Sequence, residues 1–139
     1  MKLLLLYIGR PKDKYANALA GEYVKRAGRF MKVEMREIDP RRYDVFTRHA
    51  AARTVLLDPA GEAWDSARFA KAVGEAETEA KDLVFLVGGH AGLDPEWRRR
   101  AQTLVSLTPL TLPHELARVL LAEQIYRALA TLRGHPYPR

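Results

Sequence analysis

Two short, uninterrupted apolar runs limit the folds that are open to this chain of 139 residues. Residues 3–8 (LLLLYI) and residues 83–87 (LVFLV) contain no charged side chain, which is typical of strands buried on both faces of a parallel sheet. The first run stops at Gly9 and Arg10 without the small residues of a signal-peptide cleavage site. We therefore interpret it as the first strand of an α/β fold.

Helical and extended patterns alternate along the rest of the chain. Apolar residues recur at helical spacing in several segments, and short apolar or alternating segments between them predict further strands. The predicted helices cover residues 13 to about 29, 65 to about 80, a segment from 94 onwards, and 114–132; the further predicted strands cover residues 33–38, 54–57 and 103–107. Residues 39–53 fit either a loop or a short helix, and residues 58–61 (DPAG) predict a turn.

This alternation predicts one domain spanning residues 1–139, with an open, mostly parallel α/β sheet and helices on both of its faces. No run of about 18 apolar residues is present, so we expect no membrane-spanning segment. Sheets of this kind bind ligands beyond the carboxyl ends of their strands. A ligand site is therefore expected in the segments that follow Leu57, Val87 and Leu107.

Two of these segments have unusual compositions. Val87 leads into Gly88 and Gly89, where missing side chains let a ligand approach the backbone. That segment has neither the dinucleotide fingerprint nor the lysine of a P-loop, and a plain strand-to-helix turn fits it equally well. Residues 106–113 (SLTPLTLP) carry no charge and include two prolines. Such a loop either lines a cavity or forms a buried crossover.

The reactive residue types exclude several other kinds of site. The chain has no cysteine, which removes disulfides and thiolate chemistry and fits a reducing cytoplasm, the location that we expect. Its histidines show no metal-ligand spacing, so we predict no metal site, and neither serine lies in a nucleophile motif. Arg98 and Arg99 indicate either a solvated helix face or contacts to phosphates.

Charge is distributed unevenly along the chain. Residues 1–53 carry 13 basic and 6 acidic side chains, residues 54–97 carry 3 and 9, and residues 98–139 carry 7 and 2. If the two basic ends meet in the fold, they form a positive face that suits a polyanion, RNA before a membrane. Scattered, solvated arginines and lysines are the alternative.

The last predicted helix is apolar on most of its sides. Its leucine, isoleucine, valine, tyrosine and alanine side chains cover more than the stripe of about 100° that a surface helix buries. Such a helix needs cover on most sides, and a second subunit would supply it. We therefore predict a homodimer, with a helix buried centrally within one subunit as the alternative.

Several of these segments together resemble a known family. They are VLLDPAG at 55–61, FLVGGHAGL at 85–93, and a C-terminal run with TLPH at 111–114, RVL at 118–120 and EQIYRA at 123–128. These motifs resemble the RlmH family, SPOUT-class methyltransferases that act on large-subunit ribosomal RNA. The resemblance covers essentially the whole chain and is densest from residue 83 to residue 137.

The resemblance implies a trefoil knot near the C-terminus, a homodimer, and S-adenosylmethionine bound in the knotted loops. The implied reaction is methylation of N3 of a pseudouridine in 23S ribosomal RNA, within the assembled ribosome. Carried over by position, the cofactor contacts are Leu57, Gly88, Leu107, Thr108, Pro109, Leu110, Thr111 and Leu112.

The resemblance also implies roles for the tail and for Arg118. The catalytic candidates, which would be reached from the partner subunit, are His135, Tyr137 and Arg139. Arg118 is a candidate contact to RNA or to the cofactor, and Arg98 and Arg99 are candidate RNA contacts because they lie in a run of basic residues. Many family members have Tyr-His in the tail where this chain has Tyr137 followed by Pro138, so the role of that histidine is not carried over. The altered tail motivates one alternative function, a non-catalytic, ribosome-associated RNA-binding protein on the same scaffold.

Overall fold

The computed structural model describes residues 1–89 and 91–137. The strands of this part of the chain are β1 Lys2–Ile8, β2 Lys32–Ile38, β3 Arg53–Ala63, β4 Leu83–Val87 and β5 Thr103–Ser106. Its helices are α1 Lys14–Ala27, α2 Val45–Arg48, α3 Ser66–Thr78, α4 Pro95–Arg100 and α5 His114–Leu132. The alternation of strands and helices predicted from the sequence is confirmed.

The strands form a sheet in the order β2-β1-β4-β3-β5, and every neighbouring pair is parallel. The two apolar runs lie side by side at its centre, with Leu3 opposite Leu83 and Tyr7 opposite Val87. Both strands are buried along nearly their whole length, as expected for strands that are covered on both faces.

Alternate residues of each strand pack against helices on opposite faces of the sheet, because successive side chains point to the two faces in turn. On one face, Leu5 and Phe85 belong to a core that includes residues of α1, α3 and α5. On the other face, Leu4 belongs to a core with Val45 of α2 and Trp97 of α4. The prediction of helices on both faces is therefore confirmed.

Aspartate side chains fix the starts of four helices. Asp13, Asp65 and Asp94 each accept a hydrogen bond from a backbone N–H in the first turn of α1, α3 and α4. Such an N-cap stabilises a helix by about 1 kcal/mol. Asp44 caps α2 in the same way, so the undecided region 39–53 contains a short helix.

The turn predicted after Leu57 does not end β3. The strand bulges at residues 58–61 and then pairs with β5 again, so that Leu57 and Glu62 both lie opposite Val105. This return depends on backbone pairing with a strand far along the chain, which the local turn signal does not contain. The prediction that the strand is confined to residues 54–57 is wrong for this reason.

Candidate functional site

A cavity of about 550 Å³ opens at the carboxyl ends of β3, β4 and β5. Its size falls in the range of pockets that hold cofactors and small substrates. Leu57, just before the bulge of β3, and Val87, at the end of β4, contribute to its wall, and residues 105–114 form much of the rest. The cavity lies where parallel sheets bind their ligands, and the uncharged loop lines it rather than forming a buried crossover.

The structure brings all eight of the predicted cofactor residues to this cavity. They are Leu57, Gly88, Leu107, Thr108, Pro109, Leu110, Thr111 and Leu112. Leu110 is 73% exposed, so a large apolar side chain stands open at the rim. Aliphatic walls of this kind suit one flat, neutral ring held between them.

Hydrogen bonds within the uncharged loop help to fix its shape. Ser106 Oγ donates to the Thr108 carbonyl oxygen at 3.1 Å, and the Leu110 N–H donates to Thr108 Oγ1 at 3.2 Å. Pro109 and Pro113 further restrict the backbone. Because the loop carries no charge, it offers only backbone and hydroxyl groups for hydrogen bonding, which can pair with the edge of a heterocycle.

The glycines after β4 shape another part of the wall. A β-carbon at Gly88 would lie 2.9 Å from the carbonyl carbon of Gly92 and 3.1 Å from Leu93 Cγ. The turn closes through a hydrogen bond of 2.9 Å from the Gly92 N–H to the Gly89 carbonyl oxygen, with a φ of +78° at Gly92. The same segment therefore forms both the tight turn and this part of the cavity wall.

An ion pair at the cavity was not predicted from the sequence. Arg98 Nε lies 2.7 Å from Asp58 Oδ2, and the Asp58 side chain is only 11% exposed. Asp58 reaches the cavity because β3 bulges after Leu57, and an aspartate directly after a strand was the available signal. Arg99 pairs with Glu96, so both of these predicted RNA contacts already have acidic partners. The lining also includes residues outside the eight predicted ones, among them Pro59, Gly89, Leu93 and His114.

Arg118, the third predicted RNA contact, lies inside the subunit. It is 1% exposed, its guanidinium carbon lies 3.6 Å from the centre of the Tyr7 ring, and its Nη1 donates to Asn17 Oδ1. Its Nε and Nη2 have no hydrogen-bond partner among the described residues. Burial lowers the pKa of Arg118, since desolvation disfavours the charged form. In this position Arg118 offers no surface to RNA; it joins α5 to α1 and β1 instead.

Glu115 ties the cavity end of α5 to the loop after β1. Its Oε1 accepts hydrogen bonds from the Lys12 N–H at 2.7 Å and from Asn17 Nδ2 at 3.1 Å, and its Oε2 accepts one from the Asp13 N–H at 3.1 Å. These bonds, the one from Lys12 first, favour the charged form and lower the pKa of Glu115 to about 2. The carboxylate thus stays ionised at all ordinary pH values.

Two catalytic candidates of the tail, His135 and Tyr137, do not line the cavity. The Tyr137 hydroxyl donates to Glu123 Oε2 at 2.6 Å, in the middle of α5. Desolvation first, and then this hydrogen bond, raise the pKa of Tyr137. The His135 ring packs edge-on against Phe30, with ring centres 5.7 Å apart. Arg139 lies outside the described residues.

Two kinds of feature are missing from the part of the chain that the structure describes. No group of three or more histidine, aspartate or glutamate side chains within residues 1–89 and 91–137 could hold a metal ion. No helix among these same residues is long and apolar enough to cross a membrane.

The fold and the cavity together define a class of protein. It is a parallel α/β protein whose small-molecule site is built from strand ends, a glycine turn and an uncharged, proline-containing loop. The sequence matches the family described as "Predicted SPOUT methyltransferase" over residues 1–138.

Curated relatives match along their full length. The chain is 58% identical over 139 residues to the ribosomal RNA large subunit methyltransferase H of Solibacter usitatus, covering 100% of both chains. It is 37% identical to the protein of the same name from Nitrosospira multiformis, over 155 aligned positions that cover 100% of this chain and 99% of that one. The chain therefore belongs to the SPOUT methyltransferase family, and within it to the ribosomal RNA large subunit methyltransferase H proteins.

Solved structures share the fold at low sequence identity. A probable methyltransferase from Bordetella pertussis has a TM-score of 0.61 at 15% identity, covering 91% of this chain and 95% of that one. A putative methyltransferase from Legionella pneumophila, solved in complex with the bound cofactor SAM, has a TM-score of 0.56 at 15% identity, covering 90% of this chain and 65% of that one. At these identities the likeness concerns the fold alone.

Proposed function

We propose that the protein transfers a methyl group from S-adenosylmethionine to N3 of a pseudouridine in 23S ribosomal RNA, on the assembled ribosome. The observation that carries the proposal is the convergence of eight family positions on one cavity with an uncharged loop. The names of the full-length relatives support ribosomal RNA as the substrate. The alternative of a non-catalytic RNA-binding protein is not favoured, because those relatives are named as methyltransferases.

Further features implied by the family belong to the same proposal. Residues 1–139 form one catalytic domain, with a trefoil knot near its C-terminus that holds the cofactor loop. The protein acts in the cytoplasm, where its ribosomal substrate is found.

The residues of the cavity fit S-adenosylmethionine. Leu57 and Leu110 supply aliphatic surfaces for the two faces of the adenine ring, and the backbone between Leu107 and Leu112 supplies hydrogen-bonding groups for its edge. Gly88 contributes backbone to the wall, and its missing side chain lets Gly92 and Leu93 pack against it to form the turn beside the cofactor. When bound, the cofactor supplies a methyl group activated by a sulfonium, so the chain's own contribution to this step is binding and orientation.

Methylation of the acceptor nitrogen also requires the removal of a proton. N3 of pseudouridine carries a proton, which must leave when the new bond to the methyl carbon forms and the bond from that carbon to sulfur breaks. We assign removal of this proton to His135 and stabilisation of the developing negative charge to Arg139, both from the partner subunit. Tyr137, whose pKa is raised, serves as a hydrogen-bond donor or a positioning group rather than as a base.

Exposed apolar side chains support the proposed homodimer. Tyr15, which is 77% exposed, and Leu19 lie one turn apart on α1, and Leu116 is exposed on the first turn of α5. Asn17, two residues from both Tyr15 and Leu19, bonds to Glu115 of α5, so Tyr15 and Leu19 lie on the side of α1 that faces away from this contact. Exposed apolar side chains can mark interaction sites, and a second copy of the chain would cover those of α1.

Calorimetric titration with S-adenosylmethionine tests the cofactor assignment. Leu110→Asp places a charge in the proposed adenine wall at an exposed position, so the fold should persist. We expect at least tenfold weaker binding, because burial of a leucine side chain against a ligand contributes about 1.5–3 kcal/mol. Leu132→Asp changes another exposed leucine, at the opposite end of α5, and should bind like the wild type.

Equal affinities of these two variants, or a folded wild type that does not bind, would contradict the assignment of the cavity. The substrate is tested by transfer of radiolabelled methyl groups to ribosomes that lack the modification, followed by mapping of the methylated nucleotide. Label at any position other than N3 of a pseudouridine in 23S RNA would contradict the proposed reaction.

A further inference from the structure

The loop between β1 and α1, together with the first residue of α1, carries three cationic side chains, against the carboxylates of Asp13 and of Glu115, which binds its backbone. Arg10, Lys12 and Lys14 are all exposed. None of the three forms an ion pair with an acidic side chain of the described residues, whereas Arg98 and Arg99 of α4 both do. Unpaired, exposed cations retain the full charge that attracts a polyanion.

The start of this loop lies against the glycine turn of the cavity. Gly9 has a φ of +97°, and a β-carbon built on it would lie 4.0 Å from Gly89 Cα. In the reverse direction, a β-carbon at Gly89 would lie 3.1 Å from the Ile8 carbonyl oxygen. Since Gly89 lines the cavity, the loop begins beside one wall of the cavity.

The end of the loop is held by the start of α5. The Glu115 carboxylate accepts hydrogen bonds from the backbone N–H groups of Lys12 and Asp13. Glu115 follows His114, which lines the cavity. The carboxylate binds backbone groups only at Lys12, so it fixes the position of this residue while its ammonium group stays free.

We propose that the loop of residues 9–14, which we name the basic loop, is a phosphate clamp that holds the RNA backbone at the mouth of the cavity, with Arg10 and Lys12 as its contacts. This inference rests on the proposed function, for which it names the surface that positions the substrate. A loop fixed at both ends loses little conformational freedom when it binds, so its cations contribute more of their attraction to affinity.

Two double variants with the same loss of charge test the clamp. Arg10→Gln with Lys12→Gln removes the two proposed contacts. Arg29→Gln with Lys71→Gln removes one arginine and one lysine that are also exposed and line no part of the cavity. The measurements are the affinity for ribosomes between 50 and 200 mM salt and the calorimetric affinity for S-adenosylmethionine.

We expect the salt dependence of ribosome binding to distinguish the two variants. Each lost phosphate contact lowers the slope of log affinity against log salt by about 0.7–0.9, so the basic-loop variant should show a slope lower by about 1.4–1.8. The Arg29 and Lys71 variant should keep the slope of the wild type. All three proteins should bind S-adenosylmethionine equally, because the contacts concern RNA alone.

Equal slopes for the two variants would overturn the clamp, and so would a wild type without salt-dependent binding to ribosomes. Loss of S-adenosylmethionine binding in the basic-loop variant would overturn it too, because the loop would then belong to the cofactor site. One outcome would separate the clamp from the proposed function. If the salt slopes of the variants differ as expected but the wild type transfers no methyl group, the clamp is supported and the proposed function is contradicted.

Discussion

At the scale of single residues, Glu115 shows how one carboxylate joins segments that are distant in sequence. Its partner Lys12 is 103 positions away, and the pKa of Glu115 falls from its ordinary value of 4.5 to about 2. A carboxylate with a lowered pKa in the folded state contributes stability above its unfolded pKa and loses that contribution as the pH falls through the folded pKa. We expect Glu115→Gln to lower the free energy of unfolding at neutral pH, with a gap to the wild type that narrows between about pH 4.5 and pH 2.

Urea titrations at a series of pH values measure this gap. Glu96→Gln is the control, because Glu96 pairs with Arg99 on the surface and exposed ion pairs contribute about 0–1 kcal/mol. The free energy of unfolding of Glu96→Gln should stay close to that of the wild type at every pH. A gap for Glu115→Gln that stays constant from neutral pH down to the acid limit would refute the role of its hydrogen bonds. The sequence placed Glu115 on the last helix, but it could not show partners supplied by the opposite end of the chain.

At the scale of elements, the local sequence was sufficient to predict where helices begin, but it was not sufficient to predict where β3 ends. Helices were predicted to begin at residues 65 and 94, and Asp65 and Asp94 cap α3 and α4 there, because a cap acts within one turn of its own residue. The return of β3 after residues 58–61 depends instead on pairing with β5. The same return carries Asp58 to the cavity, so the ion pair with Arg98 was missed together with it.

Gly61 marks the point where β3 returns to β5, and it provides a test of this pairing. A β-carbon there would lie 2.6 Å from the carbonyl carbon of Leu104 and from the backbone nitrogen of Val105. The backbone of β5 cannot withdraw without breaking the pairing, so we expect Gly61→Ala to lower the free energy of unfolding by about 2 kcal/mol. Gly21→Ala is the control within α1, where no atom lies within 4 Å, and it should raise that free energy by about 0.5–1 kcal/mol.

Thermal or urea unfolding of the two alanine variants measures both effects. Changes of the same sign and size would contradict the close approach of β3 and β5 at Gly61. Opposite signs are expected because the same added methyl group meets backbone at one site and open space at the other.

At the scale of the whole molecule, the sequence led to the cavity by two independent routes. The rule for parallel sheets and the family positions both indicate the carboxyl edge, and the structure brings Leu57, Gly88 and the loop from Leu107 to Leu112 together there. The tail was different, because no local signal shows which distant residues it packs against, and neither His135 nor Tyr137 lines the cavity. Within one subunit, His135 and Tyr137 pack beside Phe30 and Glu123 instead.

Mixed dimers test whether the tail acts across the subunit interface. Leu110→Asp disables the cavity of the subunit that carries it, and His135→Ala disables the tail of the subunit that carries it. When the two variants pair at random, half of the dimers are mixed, and each mixed dimer contains one intact cavity that faces an intact tail. We therefore expect about one quarter of the wild-type methyl transfer per subunit from two variants that are inactive alone. A tail that served its own subunit would leave every cavity defective, so the mixture would then be as inactive as its components.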